Sequence, residues 1–193
     1  MKKVILIHGF KRSGKDTIAD LIVDIAKEKG LKAEKVALAD ALKEILCDTL
    51  EITKNELDAI KEQDIELKYA YDENEVKKVM PGRSLLKNFG QSMKKVLGET
   101  IWSDIILYRI FLSDADYFIV PDVRFYKEEF EYLKNGLARD FGDVITIKVK
   151  GGQQDKGFEK EFPDNEFDIV LDNTDKNPKQ LLKFKKILEK VIE

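Results

Sequence analysis

The sequence predicts a three-layer α/β sandwich built on a five-stranded parallel sheet. Three observations carry this expectation. Short apolar runs alternate with segments of helical periodicity along the whole chain, the pattern of strands joined by crossover helices. The first apolar run leads directly into Gly9-Phe10-Lys11-Arg12-Ser13-Gly14-Lys15, a turn with the spacing G-x-x-x-x-G-K. The length of 193 residues suits one domain over 1–193, with room for small insertions.

Taken in order, Val4 to Ile7 is a buried parallel strand. After the glycine-rich turn, Ile18, Leu21, Ile22 and Ile25 recur at helical spacing, so the turn lies between a strand and a helix running to about Lys29 and stopped by Gly30. That context fits a phosphate-binding loop. Glycines let the backbone approach a ligand closely, and successive N–H groups at the positive end of a helix form a concavity for phosphate oxygens. Lys15 reaches the β- and γ-phosphates as a point charge, and Lys11 and Arg12 add positive charge. The next position usually carries a Ser or Thr whose hydroxyl meets Mg²⁺; here it is Asp16, followed by Thr17. Asp16 suits a site facing the metal or its waters, and it equally suits the first turn of a helix, where the dipole favours an acid.

Lys35 to Ala39 reads as a second short strand, with Asp40 capping a helix over Ala41–Thr49. Residues 53–80 are charge-rich and weakly periodic: Lys54 to Asp58 looks helical, and Asp64 to Met80 reads as a surface excursion ending at Pro81-Gly82, either a flap over a substrate or a solvated surface. Two helices follow, Arg83–Leu97 stopped by Gly98 and Ile101–Leu112, both expected to cover the sheet. Tyr117 to Val120 is the most strand-like run, and strands at 144–149 and 168–171 complete the count of five. Gly151-Gly152 and Asp172-Asn173 are turns, residues 150–166 with Lys156 and Lys160 are a candidate lid, and an amphipathic helix over Pro178–Ile192 closes the chain.

The Tyr117–Val120 strand ends in Pro121-Asp122-Val123-Arg124-Phe125. An acid at the end of an apolar strand downstream of a phosphate loop places a carboxylate where Mg²⁺ or its waters sit; a turn or N-cap Asp is the plainer reading. Arg124 and Glu128 are four apart, so on a helix they share a face, as a surface ion pair or as a lock aiming the arginine at transferred phosphate.

Composition bounds the function classes. With 34 basic and 37 acidic residues no basic patch dominates, so no nucleic-acid role is expected. Cys47 is the only cysteine, which excludes an internal disulfide and a multi-cysteine metal site and fits a reducing compartment. The one histidine, His8, closes the first strand, as a packed residue or as a group beside the loop. No run approaches the ~20 apolar residues that span a membrane, and the apolar part of the N-terminus is too short for a signal peptide, so a soluble protein of the cytoplasm is expected. Loop and strand-end acid together indicate a nucleoside triphosphate and Mg²⁺, and the absence of an N-K-x-D-like guanine motif, with arginines at turns, favours a small kinase.

The chain resembles the phage deoxynucleoside monophosphate kinases at K-R-S-G-K-D-T (11–17), A-D-A-L-K (39–43), R-S-L-L-K-N-F-G (83–90), Trp102, P-D-V-R-F-x-x-E (121–128) and D-I-V-L-D-N (168–173). The resemblance runs across nearly the whole chain. It implies a P-loop kinase fold with a helical acceptor-binding part over about 40–112 and a lid over about 150–166. The implied reaction is ATP + dNMP giving ADP + dNDP, with ATP and Mg²⁺ as cofactors and, for a phage-encoded protein, the host cytoplasm as location. By the same resemblance, Gly9, Lys11, Arg12, Ser13, Gly14, Lys15, Asp16 and Thr17 hold ATP. Lys15, Asp16, Asp122, Arg124 and Glu128 form the catalytic group, and Asp16, Thr17 and Asp122 face the metal. Asp40, Lys43, Arg83, Lys87, Gly90 and Trp102 serve the acceptor, with Arg83 clamping its phosphate, Gly90 allowing close approach and Trp102 packing beside it. Where the family often has R-x-L-L-Q-x-x-G-T, this chain has Lys87 and Gln91, so an amide's acceptor is lost and base selectivity stays open. Two alternatives remain: another small-molecule kinase of the phosphomevalonate or dephospho-coenzyme A kinase type, and an ATP-binding regulatory module without turnover. Oligomeric state is open, a homodimer included.

Overall fold

Five strands pair in one parallel sheet, and two more form a separate antiparallel pair. The computed structural model describes residues 2–60, 63–71, 74, 77–154 and 162–192. In chain order the elements are β1 (Lys3–His8), α1 (Lys15–Glu28), β2 (Ala33–Lys35), α2 (Leu38–Leu50), α3 (Lys54–Ile60), β3 (Asp64–Tyr71), β4 (Lys77–Pro81), α4 (Gly82–Leu97), α5 (Ile101–Leu112), β5 (Tyr117–Val123), α6 (Tyr132–Phe141), β6 (Asp143–Lys150), β7 (Ile169–Asp172) and α7 (Pro178–Leu188). A π-helical turn (Tyr126–Glu131) leads into α6, and a 3₁₀ turn (Asp164–Glu166) precedes β7. The chain divides into two compact units, Met1–Leu38 with Ser103–Glu193, and Ala39–Trp102.

In the first unit all five strands are parallel, in the order β2-β5-β1-β6-β7. Strands buried on both faces read as continuous apolar runs, which is why β1 and β5 were legible. On one face Ile5, Ile7, Ile119, Ile147, Val149 and Leu171 meet Ile18, Ile22 and Ile25 of α1 and Phe184 and Leu188 of α7. Alternation sends Val4, Leu6, Phe118 and Val120 to the other face, and α6, with Leu133 and Leu137 buried, packs against β1 and β6. The result is the three-layer α/β/α arrangement. β1 lies at the centre, so its C-terminal end, where the glycine-rich loop begins, is flanked by the ends of β5 and β6.

Several boundaries differ from expectation. β2 covers Ala33–Lys35 rather than 35–39, and α2 already starts at Leu38. The reason is a long-range cap: the Leu38 N–H donates to Asp122 Oδ1 at 2.8 Å. Asp40 therefore lies inside the first turn of α2 and is not its N-cap. The closing helix ends at Leu188, four residues early, although Ile192 is still buried. Helix α4, expected to cover the sheet, belongs to the second unit.

The second unit is organised around Leu46, Cys47 and Leu57, with Leu42, Leu85, Leu86 and Phe89 packed against them. Thr53 and Glu56 form a capping box at the start of α3: Thr53 N–H and Oγ1 both donate to Glu56 Oε2 at 2.7 Å, and Glu56 N–H donates to Thr53 Oγ1. The expected surface excursion over 64–80 is instead an antiparallel hairpin, β3 on β4, with Ile65 opposite Met80. A two-stranded ribbon has no broad face to bury and so leaves no strict alternation in the sequence. Among the described residues no helix is long and apolar enough to cross a membrane.

Candidate active site

The glycine-rich loop is shaped from within and held from behind. A Cβ on Gly9 would lie 2.5 Å from Ser13 Oγ and 2.9 Å from Val149 O, so only glycine fits at the exit of β1. Arg12 (φ 63) and Gly14 (φ 95) take left-handed conformations, Ser13 N–H donates to Phe10 O at 3.0 Å, and Ile18 N–H to Gly14 O starts α1. Behind the loop, Asn173 Nδ2 donates to Ser13 O at 2.8 Å, and Gln153 N–H donates to Lys11 O at 2.8 Å. Gly152 (φ 82) presses so closely that a Cβ there would meet Lys11 O and lie 2.7 Å from Ser13 N. The turn that carries Asn173 is fixed by Thr174, whose Oγ1 and N–H both donate to Asp172 Oδ1 and hold that carboxyl below its usual range. Sequence reading marked 151–152 and 172–173 only as turns; residue type gave the signal, but which loop they brace is set by the sheet order.

Lys15 is the mostly covered cation of the loop: its side chain is 12% exposed and its Nζ lies 3.1 Å from Asp16 Oδ2, while Asp16 is 69% exposed. Ser13 is fully buried, and its Oγ has no hydrogen-bond partner among the described residues. Lys11, Arg12 and Thr17 are exposed around the loop. Beside it a cavity of about 280 Å³ is lined by Arg12, Gly14, Thr17, Asn173, Lys176, Asn177 and Phe184. A larger hollow of about 440 Å³, among Leu107, Lys127, Tyr132 and Arg139, contains none of the residues singled out from the sequence.

The strand-end acid stands next to the loop. β5 pairs with β1 so that Val123 lies opposite His8, one residue before Gly9. Asp122 is buried and accepts from Leu38 N–H. Arg124 is exposed and precedes the π-helical turn, so it does not share a helical face with Glu128 as expected. The carboxylate that reaches back is Glu129, whose Oε2 accepts from Arg124 N–H at 2.7 Å and Phe125 N–H at 3.2 Å. The π-helical turn carries about one more residue per turn than an α-helix, which moves the acid facing the backbone from 128 to 129. Glu128 contributes its carbonyl, which accepts from Ser103 Oγ at 2.7 Å.

The residues expected at the acceptor lie in the second unit. Arg83 and Lys87 are exposed and one turn apart on α4. Lys43 Nζ donates to Asp58 Oδ1 at 2.9 Å, tying α2 to α3, and Asp40 lies in the first turn of α2. Gly90 is buried, and a Cβ there would lie 2.7 Å from Leu42 Cδ1, so here it admits the packing of α2 on α4. Trp102 is buried with its Nε1–H donating to Gly90 O at 3.4 Å. Of the candidate lid, residues 155–161, including Lys156 and Lys160, lie outside the described residues; so do 61–62, 72–73 and 75–76 of the candidate flap. Among the described residues no group of three or more His, Cys, Asp or Glu gathers as a ready metal cage.

The sequence model of the deoxynucleotide monophosphate kinase family matches residues 3–77. No curated protein matches the chain. Among solved structures, the APS kinase CysC of Mycobacterium tuberculosis, in complex with AMPPNP and APS, is similar with a TM-score of 0.51 at 16% identity, over 96% of this chain and 98% of that one. The crystal structure of APE1195 is similar with a TM-score of 0.53 at 16% identity, over 100% of this chain and 97% of that one. At such identities the likeness is one of fold. The family match and the braced phosphate loop together support a P-loop nucleotide kinase.

Proposed function

We propose that the chain transfers the γ-phosphoryl group of ATP to a deoxynucleoside monophosphate, releasing ADP and the deoxynucleoside diphosphate. The observation that carries this reading is a glycine cradle inside the span matched by the family, closed to any Cβ at Gly9, braced by Asn173 from outside that span and lying beside the acid-bearing end of β5. The cradle fits a nucleotide's phosphates: its N–H groups stand at the start of α1, and Lys15 is near enough to exchange the exposed Asp16 carboxylate for phosphate oxygens. The neighbouring cavity, lined by polar Asn173 and Asn177 and by apolar Ile18, Leu181 and Phe184, suits a base.

Mg²⁺ takes few protein ligands and keeps phosphates and waters for the rest, so Asp16, Thr17 and Asp122 would be the residues to hold it, without a carboxylate cage. Bound there, it would neutralise charge on the transferred phosphoryl group. The residues then have separable tasks. Lys15 and Arg12 offset the donor's charge, and Arg124 offsets charge between the two phosphates. Asp122 and its cap from Leu38 fix the edge of the site. The acceptor already offers an anionic phosphate oxygen, so no general base is required, and positioning supplies most of the rate. Arg83, with its bidentate fork, is the residue we assign to the acceptor's phosphate.

The test is ADP release with ATP, Mg²⁺ and each of dTMP, dGMP, dCMP and dAMP in turn. Turnover with at least one is expected, together with its base preference. Silence with all four, while ATP still binds, would overturn the reading and point to another phosphorylated acceptor or a sensor.

A further inference from the structure

Two buried side chains outside the phosphate loop hold the acid-bearing segment in place, and nothing in the loop motif calls for either. β1 and β5 pair residue for residue from Lys3↔Tyr117 to Leu6↔Val120; the register then shifts, and His8 lies opposite Val123. The shift falls at Pro121, which has no N–H to continue the ladder. At that break the imidazole of His8 replaces the ladder: its Nδ1 is 2.9 Å from Val123 O. A carbonyl only accepts, so Nδ1 carries the donated proton. The ring is 2% exposed and stacks on Phe162 at 3.9 Å and 9°. One residue further on, the chain leaves the sheet, and the N–H groups of Arg124 and Phe125 pass to Glu129 Oε2. Glu129 is 5% exposed, and the π-helical turn that presents it is tied to α5 through Ser103.

We propose that His8 and Glu129 are positioning residues that hold Asp122 and Arg124 in register with the phosphate loop. The proposal rests on the reading of this site as a phosphoryl-transfer centre. His8 stands one residue before Gly9, so its bond to Val123 couples the start of the loop directly to the segment between Asp122 and Arg124. Glu129 bonds the backbone at the other end of that segment, which fixes where the exposed Arg124 side chain starts. Both side chains are buried and spend their bonds on backbone groups. Their contribution is geometric, and a misplacement of about 1 Å in such a centre costs about 10²-fold in rate.

The experiment compares His8→Asn with His8→Val and Glu129→Gln with Glu129→Leu. Asn keeps an N–H near the place of Nδ1, and Gln keeps an acceptor oxygen; Val and Leu keep neither. Four readouts are taken: kcat, KM for ATP, ADP affinity without turnover, and amide hydrogen exchange at Arg124 and Phe125. Glu129→Leu and His8→Val are expected to lower kcat by about 30-fold or more while KM for ATP and ADP affinity stay within about threefold, the split that marks lost positioning. Glu129→Gln and His8→Asn are expected to restore kcat to within about fivefold. The two amides exchange slowly in the wild-type chain and in Glu129→Gln, and fast in Glu129→Leu. Undiminished kcat in the Leu and Val variants, Gln as impaired as Leu, or fast exchange of both amides in the wild type would each overturn the proposal. Should Glu129→Leu fail to fold, the Gln variant and the wild-type exchange still decide it. Absence of turnover by the wild type with every dNMP would sink the kinase reading alone, since the exchange pattern tests the clamp without catalysis.

Discussion

Replacing Gly152 by Ala probes the phosphate loop from behind, at a residue outside the loop motif. Two costs can be worked separately. The first is conformational: Gly152 has φ 82, where an L-residue pays roughly 1–2 kcal/mol, partly offset by about 0.4–1 kcal/mol from a less free unfolded chain. Gly30 has φ 73 and nothing within 4 Å of its added Cβ, so Gly30→Ala isolates that first cost. Gly30→Ala should lower Tm by about 0–6 °C, at about 2–4 °C per kcal/mol for a chain of this size. The second cost belongs to Gly152 alone. Its Cβ would collide with Lys11 O and Ser13 N, both backbone atoms that cannot rotate aside.

Restoring ordinary contact requires the loop to move by roughly 0.5–1 Å, enough to misalign one N–H with its phosphate oxygen; a hydrogen bond to a charged group is worth about 1.5–3 kcal/mol, so ADP affinity should fall by about tenfold or more. Calorimetric titration of ADP into the wild type, Gly30→Ala and Gly152→Ala, with Tm measured for each, makes the comparison. Gly30→Ala should bind as the wild type does. If Gly152→Ala also binds ADP with wild-type affinity, the loop does not depend on this abutment and the reasoning fails.

Three further outcomes are expected. Lys15→Ala should cut turnover on the order of 10²-fold or more yet leave Tm nearly unchanged, because its ion pair with Asp16 is solvent-facing and such pairs contribute about 0–1 kcal/mol; a large loss of Tm would contradict that. Asp164 is held below its usual range first by its hydrogen bond from Lys148 and then by that from Lys150, so its contribution is present above the unfolded carboxyl value of about 4 and is lost as pH falls through the lower folded value. Urea midpoints below pH 4 should therefore fall less steeply with acid for Asp164→Asn than for the wild type, and parallel curves would refute this. Leu57→Ala, at a fully buried site of the second unit, should cost about 2–5 kcal/mol by urea denaturation, and a cost under 1 kcal/mol would show that this small core relaxes around the gap.

Legibility in the sequence followed how local the determinant was. β1 and α1 were readable because strand burial on two faces and helix periodicity act over neighbouring residues; α5 spans Ile101–Leu112 as expected, although its apolar residues lie all round the helix rather than on one face. The start of α2 was not, because it is set by Asp122, 84 residues away, accepting from Leu38. Which acid bonds the backbone N–H of Arg124 was not legible for a related reason. Glu128 and Glu129 are adjacent, and only the π-helical turn decides which faces the backbone. Gly90 and Trp102, which the resemblance places at the acceptor, also have packing roles that the sequence did not show: one makes room for Leu42, and the other bonds the backbone of the first. Gly9 to Lys15 was legible because cradle, lysine and helix start are consecutive.

The order of the sheet explains why a motif near the N-terminus describes only part of the site. In a parallel sheet every strand delivers its C-terminal end to the same edge, and ligands bind there. With β5, β1, β6 and β7 side by side, that edge receives Asp122 and Arg124 from β5, Gly9 from β1, Gly152 and Gln153 from β6, and Asn173 from β7. Each strand end thus contributes one function: the acid, the cradle, the backstop and the brace. The span matched by the family, 3–77, contains the cradle but none of the other three. Two chains can therefore share the loop and differ at every other strand end, so the loop specifies the phosphate while the ends of β5, β6 and β7 specify how rigidly it is held. Grafting residues 9–17 alone onto another parallel sheet should for that reason give a loop that binds nucleotide weakly unless an Asn and a tight glycine turn are supplied from the strand ends on its far side.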